Sequence, residues 1–202
     1  GELSIIATNR AEWFGGHAQN TGRLDHLFAA SEYEAVEMVD IELETARGSG
    51  WVIPEFRENE VEIIISHHTF NDTPDPDTLL AIFEDCARFG DIAKVATFAE
   101  DYSDTLHMIE AIYRATMEGN RVAGISMGEL GKHTRVVGPL YGSKLGYAPL
   151  ETDVSKYAPG QIPIHKLRTI IETLDVSDVS ENGLADVGDV SAEARSALKS
   201  GE

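Results

Sequence analysis

Short runs rich in Ile, Val and Ala alternate along this chain with longer stretches of helical periodicity, and that alternation restricts the fold more than any other feature. A strand followed by a helix before the next strand pairs most simply with a parallel neighbour. Six runs read as strands: Leu3–Thr8, Val36–Leu43, Val61–Ile65, Ile92–Thr97, Val122–Ser126 and Arg135–Leu140. Between them lie helical patterns. Arg23–Glu34 carries Leu24, Leu27, Phe28 and Tyr33 at helical spacing. Asp75-Pro76 opens the next helix with an N-cap carboxylate and a proline at the first helical position, and Gly90 stops it after Phe89. Ser103 is expected to cap a helix through Glu118, with Leu106, Ile109, Ile112, Tyr113 and Met117 on its inner face. Pro163 opens the last helix, whose Leu167, Ile170, Ile171 and Leu174 are expected to face inward.

Two α/β architectures fit this pattern: an open doubly wound sheet, and a (β/α)8 TIM-type barrel reduced to its strands 3–8. Both collect their chemistry at the C-terminal ends of parallel strands. Arg10, His68, Lys94 and Arg135 fall at such ends. The 202 residues suffice for one domain with a sizeable core, assigned to residues 1–174. Residues 175–202 have no aromatic side chain and are rich in Asp, Ser, Gly and Ala, which reads as an acidic, disordered tail. The chain starts at Gly1 with the first strand close behind, so an N-terminal piece is expected to be missing.

Charge narrows the partners. Asp and Glu number 35 against 16 Lys and Arg, a formal net charge of -19. Such a field repels nucleic acid and anionic membranes, so neither is expected as a partner. It matches a solubility surface of the kind found in salt-loving organisms, or an acidic enzyme of the cytoplasm. No apolar run approaches the length of a membrane span, and no signal peptide is visible. The single thiol, Cys86, cannot form an internal disulfide and reads as a small packed residue of a helix. A site for an anion must here build a positive patch against the overall field.

A few residues carry potential chemistry. Lys94 is the one charge in the strand Ile92-Ala93-Lys94-Val95-Ala96-Thr97. Inside a closed sheet, desolvation favours a neutral amine, which attacks carbonyls to form a Schiff base; the alternative is a lysine salt-bridged to Asp91 or another carboxylate. His67 and His68 end the preceding strand, and successive residues face opposite ways, so at most one enters a site. Arg135 offers a fork for a carboxylate. Ala158-Pro159-Gly160-Gln161 is a turn whose Gln161 could close over a polyol. Asp40 and Glu42 read as buried partners for Arg or Lys rather than as an acid–base pair. The chain contains no Walker loop, no GxGxxG after a strand and no zinc-ligand spacing.

Taken together, the pieces resemble the type I 3-dehydroquinate dehydratases of the shikimate pathway. The resemblance rests on Arg10 with Gly15-Gly16, Asp40-Ile41-Glu42-Leu43, Ile65 through Phe70 with Thr73-Pro74, Asp91 through Ala96, Ser126-Met127-Gly128 through Arg135, and Ala158 through Gln161, in order over residues 3–174. It implies a (β/α)8 barrel, a homodimer, and no cofactor and no metal. It also implies that Lys94 is the Schiff-base lysine, His68 the general acid and base, and Arg135 the ligand of the substrate carboxylate. Arg10 and Gln161 match substrate-binding positions, and Tyr157 stands where a Ser or Thr often contacts substrate. The implied reaction dehydrates 3-dehydroquinate to 3-dehydroshikimate.

The chain departs from the family pattern in four places. Phe14 replaces a Glu that orients the catalytic histidine, Thr69 replaces Asp, and Tyr157 replaces the hydroxyl residue. The first two βα units, of the order of 60 residues, are not in the chain. Two rival readings follow: an aldolase-like Schiff-base barrel holding a phosphate on Arg135 and Lys144, and a truncated or degenerate barrel that binds ligand with little turnover.

Overall fold

A computed structural model describes residues 3–19, 21–150 and 159–174. The expected tail and Tyr157 lie outside the described residues. Five parallel strands form one sheet: β1 Ile5–Thr8, β2 Val36–Glu42, β3 Glu62–His68, β4 Ile92–Phe98 and β5 Val122–Met127. Their spatial order is β1-β2-β3-β4-β5, the order of the sequence. A doubly wound sheet reverses direction at a switch point; this one does not.

The helices are α1 Arg23–Ser31, α2 Leu43–Gly48, α3 Val52–Glu58, α4 Pro76–Ala87, α5 Tyr102–Met117, α6 Gly128–Gly131, α7 Thr134–Val137 and α8 Ile164–Thr173. The first five cover a single face of the sheet. Alternate strand residues Val39, Ile41, Ile63, Ile65, Ala93, Val95 and Val122 meet Leu27, Phe56, Leu79, Phe83, Met108 and Ile112 in one continuous core. Fully burying each large aliphatic or aromatic side chain there contributes roughly 1.5–3 kcal/mol. Cys86 belongs to this core, and burial pushes its thiol up to about 12, far from a nucleophile at neutral pH. The other face carries a smaller apolar floor of Ile64, Ile92 and Ala123, with Ile6, Met38 and Leu145 packed against it.

Local chemistry explains several boundaries. Asp75 caps α4, its carboxylate accepting from the backbone N–H groups of Asp77 and Thr78, and Pro76 stands in the first turn. In α5 the cap is Asp101, not Ser103. Asp101 accepts from Ser103 and Asp104 N–H while Asp104 accepts from Asp101 N–H, a reciprocal capping box. A carboxylate two residues upstream outcompetes the hydroxyl.

Three expectations fail. Arg135–Leu140 is not a sixth strand. Thr134–Val137 is the short helix α7, and Gly138–Tyr141 is a 3₁₀ turn with Pro139 near its start. Two adjacent valines favoured a strand, but Val136 packs against Ile162 and Leu167 in a local cluster instead. The inner face of α5 is Thr105, Met108, Ala111, Ile112 and Ala115, while Leu106 is 64% exposed. Small residues decide this: a Cβ on Gly124 of β5 would stand 2.4 Å from Ile112 Cγ1, so the helix seats on a glycine. In α8 only Leu167 is buried; Ile170 and Leu174 are exposed. Among the described residues no helix is long and apolar enough to cross a membrane.

Candidate active site

The strand register determines which side chains share the open face. Asp40 is level with Ile64, Glu42 with Ser66, Ser66 with Lys94, and His68 with Ala96. Because residues two apart on a strand point the same way, Asp40, Glu42, Ser66, His68, Lys94 and Ala96 project to one side, above the apolar floor. Lys94 is therefore mid-strand, and His68 ends its strand one pair further toward the carboxyl end.

A buried charge network fills the layer beneath His68. Lys94 Nζ donates to Asp40 Oδ2 at 2.9 Å. Arg10 Nη2 donates to Asp40 Oδ1 at 2.6 Å, and its Nη1 reaches Ser66 Oγ at 2.6 Å and Glu42 Oε1 at 3.2 Å. Arg23 pairs with Glu42 Oε2 at 2.8 Å. Asp40 and Glu42 are thus the buried partners expected of them, and the salt-bridged state of Lys94 uses Asp40, while Asp91 pairs with Arg57. Burial alone would raise the Asp40 carboxyl, but Lys94 and Arg10 outweigh it and hold it at about 2.

Above the network lies a cavity of about 230 Å³ lined by residues that include Arg10, His68, Lys94, Arg135, Tyr147 and Gln161. Arg135 comes from α7 rather than from a strand end. It is 5% exposed, and its Nε donates to the Gly160 carbonyl at 2.9 Å. Among the described residues no carboxylate pairs with it, and burial lowers the guanidinium to about 10. Among the described residues three cations (Arg10, Lys94, Arg135) line the cavity, while Asp40 and Glu42 lie beneath it paired with Arg10, Lys94 and Arg23, leaving the positive patch that an anion requires.

His68 and His67 diverge: His68 lines the cavity, and His67 Nδ1 lies 3.2 Å from Glu44. Burial, then the charges of Lys94 and Arg10, lower the His68 imidazole to about 3. Two cavity residues were not identified from the sequence. The ring of Tyr147 lies 4.4 Å from Lys94 Nζ, and Phe70 stacks on His68. Tyr147 sits in a segment with no periodicity, so no sequence signal marks it. Its hydroxyl, His68 Nδ1 and Gln161 Oε1 are buried without hydrogen-bond partners among the described residues. Buried polar groups are rarely left so unless something else meets them. Among the described residues no group of three or more His, Cys, Asp or Glu side chains is placed to hold a metal ion.

Such a pocket, with a buried lysine, a histidine and an arginine that no described carboxylate pairs with, opens on one face of a parallel sheet, as in an α/β enzyme. The chain belongs to the type I 3-dehydroquinase family, whose model matches residues 2–178. It is 39% identical over 180 residues to the 3-dehydroquinate dehydratase of Haloarcula marismortui, covering 86% of this chain and 78% of that protein. It is 41% identical over 185 residues to that of Haloquadratum walsbyi, covering 89% and 75%. The crystal structure of 3-dehydroquinate dehydratase from Geobacillus kaustophilus matches with a TM-score of 0.80 at 33% identity, over 88% of this chain and 70% of that one.

Proposed function

We propose that the chain is a hydro-lyase that converts 3-dehydroquinate to 3-dehydroshikimate through an imine on Lys94, with His68 moving the protons. The observation that carries this reading is the placement of Lys94 and His68 in one cavity with a buried Arg135 that no carboxylate among the described residues neutralises. A substrate carboxylate supplies that missing charge and so orients the ring over the lysine and the imidazole. Such positioning is worth of the order of 7–11 kcal/mol of barrier in the best cases.

The steps follow from the groups present. Lys94 leaves Asp40, loses a proton and attacks the C3 ketone; the carbinolamine expels water to give an iminium. The iminium withdraws electrons from C2, and His68 takes a C2 proton, leaving an enamine. The enamine pushes out the C1 hydroxyl, which departs as water with the proton His68 carried. Water then hydrolyses the conjugated imine and frees Lys94. One molecule of water is lost overall, and His68 ends as it began. Gln161 and Tyr147, each with an unpartnered buried atom, are the groups left to meet ring hydroxyls. Arg10 is held by Asp40, Glu42 and Ser66, so its part is to keep Asp40 ionised while it edges the cavity.

The strand order and the one-sided helical cover support an arc of a (β/α)8 barrel, with the open face as its interior. The expected homodimer and cytoplasmic location rest on the resemblance alone. The aldolase-like reading loses its second cation, because Lys144 is exposed and does not line the cavity with Arg135.

The test is reductive trapping: the protein is treated with 3-dehydroquinate and borohydride, and the modified peptide is located by mass spectrometry. An adduct on Lys94, absent in Lys94→Ala, is expected. A folded sample with no adduct on Lys94 discards the imine.

A further inference from the structure

The imidazole of His68 is held by rings. Phe14, itself 8% exposed, meets it edge to face, with centroids 5.0 Å apart and planes at 84°. Phe70 lies parallel to it at 6.0 Å and 10°. The two phenylalanines also touch each other edge to face at 6.4 Å. Gly15, at φ +80°, lets the chain turn beneath Phe70, whose Cζ stands 3.0 Å from where a Cβ would be. His68 Nδ1 is buried in this setting and has no hydrogen-bond partner.

The charged groups around the imidazole come from four elements: Lys94 on β4, Asp40 on β2, Arg10 after β1, and His67 beside it on β3. Arg135 and Tyr147 line the same cavity. Asp40, the one anion in this set, is already shared by Lys94 and Arg10. A proton added to the ring would therefore meet the rings of Phe14 and Phe70, the latter 46% exposed, and the two cations Lys94 and Arg10. A neutral imidazole carries its single proton on one nitrogen. A buried N–H without an acceptor is costlier to leave than a bare lone pair, which places the proton on Nε2.

We propose that Phe14 and Phe70 are the positioning residues of His68, holding it by ring contact alone, so that in the free protein the imidazole is neutral with Nδ1 bare and the proton on Nε2. The proposal rests on the reading of His68 as the proton carrier and refines it. In this tautomer Nε2 meets a ligand as a donor. Acting as a base requires the proton to move to Nδ1, where nothing receives it. A carboxylate at position 14 would supply that acceptor, so Phe14 keeps the base step slow.

The experiment is nitrogen NMR of histidine-labelled protein without substrate, with His68 assigned by its loss in His68→Ala. In the unmodified protein His68 is expected neutral down to a pH well below 6.5, protonated at Nε2. In Phe14→Glu the proton moves to Nδ1, the titration midpoint rises by about 2 pH units, and the kcat for 3-dehydroquinate rises with KM little changed. Phe14→Leu keeps the wall apolar, so it retains the Nε2 tautomer but loses the single fixed ring orientation. The proposal is overturned if His68 of the unmodified protein titrates near 6.5 or is protonated at Nδ1. It is equally overturned if Phe14→Leu leaves the order of the imidazole unchanged. These readouts need no turnover, so a failure of the dehydratase reading would show separately, as full activity in His68→Ala or as no adduct on Lys94.

Discussion

Lys94 and Asp40 lie 54 positions apart in the chain and 2.9 Å apart in the fold, both almost wholly buried. Their hydrogen-bonded ion pair holds Lys94 at the base of the cavity. Asp40→Asn leaves Lys94 and Arg10 facing a neutral amide. Breaking one side of a buried ion pair costs roughly 3–5 kcal/mol, so the variant is expected to unfold at markedly lower urea. An unchanged urea midpoint would show that the network contributes nothing to the fold.

Arg135 is buried, and among the described residues no carboxylate pairs with it. Its loss should therefore cost ligand affinity more than stability. Arg135→Gln is expected to raise KM by roughly tenfold to a hundredfold, from a charged hydrogen bond worth about 1.5–3 kcal/mol, with the melting temperature held within a few degrees. A fall in stability with KM unchanged would assign the guanidinium to the scaffold through its bond to Gly160.

The acid limb of stability follows from His68 and Asp40. His68 is lowered from 6.5 to about 3, so below pH 6.5 the unfolded chain binds a proton that the folded one refuses. Stability is full above that pH and falls as pH drops toward 3. Asp40, held at about 2, adds a further loss below pH 3.8, where the unfolded carboxyl is protonated first. Urea midpoints at pH about 7, 5.5 and 4.5 should decline, and the slope should flatten in His68→Leu. A parallel decline in that variant would place the effect elsewhere.

The Tyr147 hydroxyl is buried with no partner, while its ring contacts the Lys94 ammonium. Tyr147→Phe keeps the ring and removes an unsatisfied group. Its melting temperature is expected to equal or exceed that of the parent, and any rise in KM would report a bond made only to the ligand. Lower stability with KM unchanged would contradict both halves.

Gly124 lies beneath α5, where an added Cβ would stand 2.4 Å from Ile112 Cγ1 and 2.9 Å from Met108 Sδ. Gly124→Ala should cost about 1–3 kcal/mol of stability, the usual range for overpacking a core, measured by urea unfolding. A neutral result would mean that α5 moves away freely.

Much of this was legible in the residues. Four of the five strands fall within a residue or two of their expected places, because period and β-branched content agree there, and β3 runs three residues beyond Ile65 to His68. Asp75-Pro76 marked the start of α4 through capping chemistry that needs only neighbours in sequence. Lys94 stood out as the lone charge in an apolar strand, and Asp40-Ile41-Glu42 as buried partners for cations. The short helices at Leu43–Gly48 and Val52–Glu58 went unread, being too short for a period to show. The two adjacent valines after Arg135 predict a strand, yet the segment is a helical turn because Val136 packs in a local cluster.

The order of strands and helices and the Asp75 cap of α4 are thus properties of the sequence, since each depends on residues a few positions apart. Which carboxylate holds Lys94, which histidine enters the cavity, that Phe14 and Phe70 contact its ring, and that no described carboxylate pairs with Arg135 were decided by the tertiary structure. Those facts depend on strand register and on close approaches between distant segments. Each is settled only when the core packs and selects one register among many.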